Sequence, residues 1–461
     1  MVRECMTQSD ETSASNVVYD IEEKPPLGEA IPLSFQHVLA MVLGNIAVPL
    51  IMASAVGLAT GQTTFLVQMA LIVAGVASVV QAYPAGPVGA KLPIMMGTSF
   101  AFLGTLLLIA ENAGLPTIFG AALVGSLLQV FIGANYERFK PLFPPLVNGI
   151  VVMLIGLTLI PTGIDYAAGA ASGPGAAGYA SLMNLGVAAL VFLVILGLNQ
   201  FFQGILRIAS VFFGILLGYV VAAFLGMVDF APVAQAGWFA IPMPLKFGIA
   251  FDPGAIIAVS AVYVIVAMET IGNISAIVSE TGRNASNRQI RGGLLADGVM
   301  SGVASIFGAF PNTSFAQNVG LISFTGVASR YIVGIGGVIL LLGGFVPKIG
   351  AIITTVPDPV LGGGTLILFA QIFTSGLNIV HREVTLTQRN TTIIAAAVAL
   401  GLGVTFRPEL VQNLPQVVQP LLGSGVVMGG FTALILNILL PQSNPVDSPS
   451  ENDVAAKDVN D

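Results

Sequence analysis

Apolar runs of membrane-spanning length recur along this chain, separated by short polar or Gly/Pro-containing stretches. They fall near 34–53, 64–83, 92–110, 115–134, 144–162, 180–198, 208–228, 253–276, 292–309, 315–329, 331–347, 358–376, 391–406 and 418–440, which is fourteen segments. A straight α-helical crossing needs about 20 apolar residues. The third and tenth segments fall short of that, and each begins in polar or Gly/Pro-containing sequence. At the tenth, Pro311 to Gly326 reads PNTSFAQNVGLISFTG. Its side chains Asn312, Thr313, Ser314, Gln317, Asn318, Ser323 and Thr325 are polar where the flanks are not. The pattern predicts an all-α polytopic membrane protein with two interrupted spans. Short polar tails, 1–33 and 441–461, flank a single integral domain over 34–440.

Composition sharpens this. Hydrophobic residues are 55% of the 461 and charged residues 8%, against about a quarter charged in a soluble globular protein. Mean hydropathy is +0.91. The single cysteine, Cys5, excludes an intramolecular disulfide framework and a cysteine metal cluster. The net charge of −7 comes mostly from the tails, and no basic patch points to nucleic acid. The acidic, polar start is not a cleavable signal peptide. With fourteen spans, ten of the sixteen Lys/Arg fall in loops on one side: Lys91, Arg138, Lys140, Arg207, Arg283, Arg288, Arg291, Arg330, Arg382 and Arg389. Only Lys246, Lys348 and Arg407 fall in the opposite loops. This bias puts both termini in the cytoplasm.

Seven spans per half would set the two halves in opposite orientations, an arrangement common in secondary transporters. Thr98-Ser99-Phe100-Ala101 lies in the third span. Thr313-Ser314-Phe315-Ala316 lies in the tenth, the third of the second half. Broken membrane helices leave backbone groups that must be satisfied, and they are tolerated where they line a polar cavity. Two of them meeting at mid-membrane would aim two helix N-termini at one acceptor-rich ligand. The alternative is that both stretches are re-entrant or extramembrane loops.

Two carboxyls stand inside apolar segments, Glu269 in VIVAMETIGN and Asp297 in GGLLADGVMSG. A charge at the bilayer centre costs on the order of 3 kcal/mol on insertion scales, so such groups are usually functional. An acid there that exchanges a proton can carry it across; the plainer reading is a neutral acid bonded to a neighbouring helix. Asn273 is one helical turn beyond Glu269 and should face the same way. His37, early in the first span, reads as a proton relay or as a structural bond to a neighbour. Phe100 and Phe315 occupy matching places in the two TSFA copies. Aromatic faces beside polar groups suit a flat heterocycle. No Walker loop, HExxH or GxSxG is present, and His and Cys are too few for a metal centre. The chain therefore reads as no enzyme and as needing no cofactor. Uphill transport would draw on an ion gradient.

Gln317 to Gly326, QNVGLISFTG, resembles the signature of the nucleobase–ascorbate transporters, also called nucleobase:cation symporter-2, with Gln317, Asn318, Gly320, Thr325 and Gly326 filling every defined position. QHVLAM, GTSFAF, METIGN, GGLLADG and TGVASRYI are similar to the same family. The resemblance implies a fourteen-span, 7+7 inverted repeat with spans 3 and 10 broken by short strands. It implies a core domain (34–134 and 253–347) moving against a gate domain (144–228 and 358–440). It further implies a homodimer and proton symport of a nucleobase. Glu269 and Gln317 would grip a purine edge, Phe100 and Phe315 would sandwich the ring, and backbone at Phe100 and Ala316 would add hydrogen bonds. Asp297, Asn318 and His37 would support the site and proton coupling. Gln317 favours a purine such as xanthine or uric acid, with uracil the alternative. Asn273 stands where several xanthine members carry an acid, and Ser99 stands where some xanthine-selective members carry Asn, which leaves room for uric acid. An anion transporter of related fold and a channel are the other readings.

Overall fold

The computed structural model describes residues 18–169, 173–176, 178–415 and 418–441. The chain opens with two long apolar helices, α1 (Leu27–Ala55) and α2 (Thr60–Ala82). A three-residue strand, β1 (Met96–Thr98), and a short 3-10 turn lead into α3 (Leu103–Ala134). The first half closes with α4 (Pro145–Thr158), α5 (Ile160–Ala167), α6 (Leu182–Phe201) and α7 (Ser210–Phe224). The second half repeats the order. It runs through α8 (Pro253–Ser279), α9 (Asn287–Phe307), strand β2 (Asn312–Ser314) and α10 (Gln317–Thr325). Then come α11 (Arg330–Gly344), α12 (Pro347–Thr354), α13 (Asp358–Glu383), α14 (Gln388–Phe406) and α15 (Gly425–Leu439).

Among the described residues, nine helices are long and apolar enough to cross a membrane. The pair α11 and α12, bent by 82°, makes a tenth, and α7 and α15 are shorter apolar helices. The protein is a multi-pass membrane protein. By length and composition alone, that makes nine or ten spans among the described residues.

The expected boundary near 110–115 is a break within one element rather than a loop. A straight 32-residue helix would be about 48 Å long, against a hydrocarbon core of about 30 Å. Gly114 interrupts α3 at φ 74°, ψ 178°, a backbone that favours glycine, and Pro116 follows it. The N-terminal boundary differs as well. Helix α1 starts at Leu27, not near residue 34, after the extended Pro26 and with Glu29 in its first turn. An acid there suits the positive end of the helix dipole. Residues 18–23 are not free either. Ala328 donates to the Tyr19 carbonyl, Arg330 donates to that of Ile21, and Glu22 pairs with both Lys91 and Arg330. The expected tail 441–461 lies beyond the described residues apart from Pro441, and Cys5 lies outside them.

Local signals explain the later helix starts. Asp252 caps α8 through the Ala255 N–H with Pro253 at the first helical position, and Ser286 and Gln289 form a reciprocal capping box on α9. The helices pack in two sets: α1, α2, α3, α8, α9 and α11 against one another, and α4, α6, α7, α13, α14 and α15 likewise. Small residues allow the closest crossings. A Cβ added at Gly75 would fall 2.5 Å from the Leu341 nitrogen, and one at Gly156 would fall 2.6 Å from the Phe373 nitrogen. The two sets touch where α8 meets α4 and α15, and where α1 meets α13 and α7.

Candidate functional site

The two TSFA copies meet. Strands β1 and β2 pair antiparallel, with Met96 opposite Ser314, Gly97 opposite Thr313 and Thr98 opposite Asn312. The register is internally symmetric. Thr98, which begins one copy, faces the residue before Thr313; Thr313, which begins the other, faces the residue before Thr98. Beyond the ladder, the Ser99 N–H donates to the Pro311 carbonyl and the Phe315 N–H to that of Met95.

Two paired strands leave their outer edges unsatisfied, which a lipid interior penalises. Side chains from the flanking helices fill the gap. On β1, Asn45 Oδ1 accepts from the Thr98 N–H at 2.8 Å, and Ser78 Oγ accepts from the Met96 N–H at 2.8 Å. On β2, Ser301 Oγ accepts from the Asn312 N–H at 3.0 Å, and Asn273 Nδ2 donates to the Ser314 carbonyl at 2.9 Å. Asn45 follows Gly44 in α1 and Asn273 follows Gly272 in α8, the first helix of each half, so one Gly-Asn pair clamps the strand of each half. Asn45, Ser78 and Ser301 were not singled out by the sequence. Their only signal is a small polar residue in an apolar helix. Asn45→Ala leaves the buried Thr98 N–H unpaired, at a cost of about 1–3 kcal/mol. The expected result is a lower thermal midpoint for the detergent-solubilised protein; an unchanged midpoint would contradict this role.

Each strand feeds a helix. Ser99 Oγ accepts from the Ala101 N–H at the start of the 3-10 turn, so its hydroxyl caps that turn. The signature begins helix α10. Gln317 is its first residue, and Asn318 Nδ2 lies 2.9 Å from His37 Nδ1 and donates to the His37 carbonyl at 3.1 Å. Thr325 bonds back to the Leu321 carbonyl, and Gly326 ends the helix at φ 69°. This left-handed cap favours glycine.

A cavity of about 430 Å³ runs along α8, α10 and α13. Ala316, Gln317, Gly320, Asn273 and Gln371 line it, and Arg207, Glu280 and Arg382 stand where these helices end. Of the residues singled out by sequence, Glu269, Ser99, Phe100, Phe315, Asp297, Asn318 and His37 are not in its wall. The two expected stacking rings are buried instead. Phe100 packs edge-on against Phe369 of α13 with ring centroids 5.4 Å apart, and both Phe100 and Phe315 approach Gly44.

Glu269 is half-buried, and its Oε2 is buried with no hydrogen-bond partner. The next residue, Thr270, donates to Asp297 Oδ2, and Gln81 Nε2 donates to Asp297 Oδ1 at 3.2 Å. Asp297 is fully buried, so the two acids differ: one is held by donors on both oxygens, the other has an oxygen free. At the cavity mouth, Arg382 and Glu280 lie 3.8 Å apart, with Arg382 side chain 70% exposed. An exposed pair contributes about 0–1 kcal/mol, so Glu280→Gln should change initial uptake rates by less than about fivefold. A larger loss would give this pair a role beyond a surface contact.

A family model described as "Permease family" (Xan_ur_permease) matches residues 28–410. The chain belongs to this family, the nucleobase–ascorbate transporters. A Clostridium perfringens chain, CPE0397, is 40% identical to it over 437 residues, 95% of this chain and 96% of its own. Xanthine permease XanP of Escherichia coli K12 is 35% identical over 446 residues, 94% of this chain and 96% of its own. Uric acid transporter UacT of the same strain is 36% identical over 416 residues, 89% of this chain and 86% of its own. Among solved structures, the transmembrane domain of a cyanobacterial bicarbonate transporter, BicA, superposes with a TM-score of 0.59 at 16% identity, covering 91% of this chain and all of its own. At that identity the likeness is one of fold.

Proposed function

We propose that this family member takes up a purine nucleobase, xanthine or uric acid, across the cytoplasmic membrane by proton symport. The observation that carries this reading is a cavity walled by Asn273, which clamps β2, and by Ala316 and Gln317, which follow that strand. Glu269 keeps a carboxyl oxygen free one helical turn from Asn273. An amide offers both donor and acceptor to a purine edge of alternating C=O and N–H, and a carboxylate accepts from the adjacent N–H. The volume is within the range of about 300–1,000 Å³ usual for small-ligand pockets. The names of XanP and UacT support the substrate class. Asp297, tied to Thr270 beside Glu269, is the second group in the proton path, and the Asn318–His37 bond fixes α10 against α1.

The reading includes fourteen spans, with the β1 and β2 units as the third and tenth and both termini in the cytoplasm. The cavity mouth lies among the Arg-rich loops, so this is an inward-open state. The set containing α1, α8 and α10 is the moving core, and the set containing α13 is the gate. Phe100 and Phe315 face the substrate once Phe369 withdraws. Helices α6 and α14, whose apolar windows are only 22% buried, offer surface to lipid or to a second copy in a homodimer.

Uptake of labelled xanthine, urate and uracil into cells expressing the protein, each in competition with the other two, tests the substrate. Protonophore-sensitive accumulation of xanthine or urate is expected. Accumulation of uracil alone would overturn the purine assignment, and currents without saturable uptake would replace a transporter with a channel.

A further inference from the structure

A second cavity, about 850 Å³, shares no lining residue with the first. It lies between the turn after α2, the start of α9 and the N-terminal segment. Its ionisable lining is four cations, Lys91, Arg283, Arg288 and Arg291, against one carboxylate, Glu22. Two of the cations are already paired, Lys91 with Glu22 at 2.9 Å and Arg283 with Asp20 at 2.7 Å. Among the described residues, Arg288 and Arg291 have no carboxylate within 4 Å. Two guanidiniums with no carboxylate partner among the described residues therefore share one concavity.

The backbone around them is built closely. The Gly89 N–H donates to the Gly292 carbonyl at 2.9 Å, and a Cβ on Gly292 would fall 2.1 Å from the Gly89 carbonyl oxygen. Lys91 is held at φ 62°, a left-handed backbone costly for a residue with a side chain, by its N–H bond to the Gln81 carbonyl. Gln81 Oε1 also accepts from the Ala90 N–H. The turn is thus fixed against α9, and the cation cluster with it.

We propose that this cavity binds a phosphate-bearing anion of about two negative charges, held by Arg288 and Arg291 with Lys91 and Arg283 at its rim. Guanidinium forks match phosphate oxygens two at a time. Basic pockets at the cytoplasmic ends of membrane helices suit acidic lipid headgroups, and a soluble diphosphate offers the same chemistry. The site joins the turn leading to β1 with the helix leading to β2, so an occupant ties together the approaches to both strands.

The full-length protein, purified in neutral detergent, tests this with three probes: cardiolipin, phosphatidylcholine and inorganic pyrophosphate. Thermal midpoint and bound adducts by native mass spectrometry are the readouts. Cardiolipin, pyrophosphate or both should raise the midpoint saturably while phosphatidylcholine does not. Response to cardiolipin alone identifies a headgroup, and response to pyrophosphate a soluble anion. Arg288→Gln and Arg291→Gln should each weaken binding about fivefold, and together about thirtyfold. Arg288→Lys/Arg291→Lys should keep most of the shift. The single variants decide the matter if the double variant unfolds. Equal response to all three probes, no response to any, or wild-type binding by the single variants would overturn the site.

Discussion

Cells expressing the Glu269→Gln variant are expected to accumulate no xanthine or urate above the external concentration. Glutamine keeps the length and one carbonyl oxygen of the side chain. It loses the charge that makes a carboxylate roughly twice as strong an acceptor, and it cannot take up and release a proton. Both losses fall on the group whose free oxygen stands one turn from the cavity wall. Counterflow separates them. If exchange of labelled for unlabelled purine persists at raised concentration while uphill uptake is lost, the carboxyl drives coupling. If exchange is lost as well, it also binds. Full, protonophore-sensitive uptake by the variant would remove Glu269 from the mechanism.

At Asp297 two substitutions should part ways. Asp297→Asn keeps an acceptor for Gln81 Nε2, and the Thr270 hydroxyl can turn to accept from the new amide, so the fold should hold. Uphill uptake should fall by at least an order of magnitude if this carboxyl exchanges protons. Asp297→Ala removes the acceptor of the buried Thr270 hydroxyl, at about 1–3 kcal/mol, and one of the acceptors of Gln81 Nε2, which keeps the Gly293 carbonyl. Its thermal midpoint should drop clearly below that of the Asn variant. Normal coupling in Asp297→Asn with a fall in midpoint only for Asp297→Ala would make Asp297 purely structural.

The strand crossing was legible in sequence because it breaks two patterns at once. The TSFA copies interrupt apolar runs, and they recur at the same place in each half. The acids Glu269 and Asp297 were legible for the same reason, as charges where lipid forbids them. What supports the crossing was not. Asn45, Ser78 and Ser301 are single polar residues in apolar helices, and such residues commonly bond their own helix backbone. Only the position of the unwound strands shows that these three bond to another segment. The hydroxyl of Ser99, expected beside the substrate, caps the turn after β1, a role the sequence did not show. Phe100 and Phe315 each follow one strand of the pair and both approach Gly44. A repeat carries no information about Phe369, which comes from the other helix set and covers one of them. The joint within α3 falls in the expected gap between 110 and 115, but it is a break at a single glycine with positive φ rather than a loop.

The central claim is that the cavity along α8, α10 and α13, next to the strand pair, is a substrate pocket within the membrane. Gly320 gives direct access to it, since it lines the cavity and an added Cβ there meets nothing within 4 Å. The natural chain has one cysteine, Cys5, so Gly320→Cys in a Cys5→Ser background carries a single thiol. Its rate of modification by a maleimide, measured in membranes with increasing purine, is the measurement. Transported xanthine or urate should slow the reaction saturably, over the concentration range that half-saturates uptake. A rate unchanged by saturating concentrations of the transported purine would contradict the pocket.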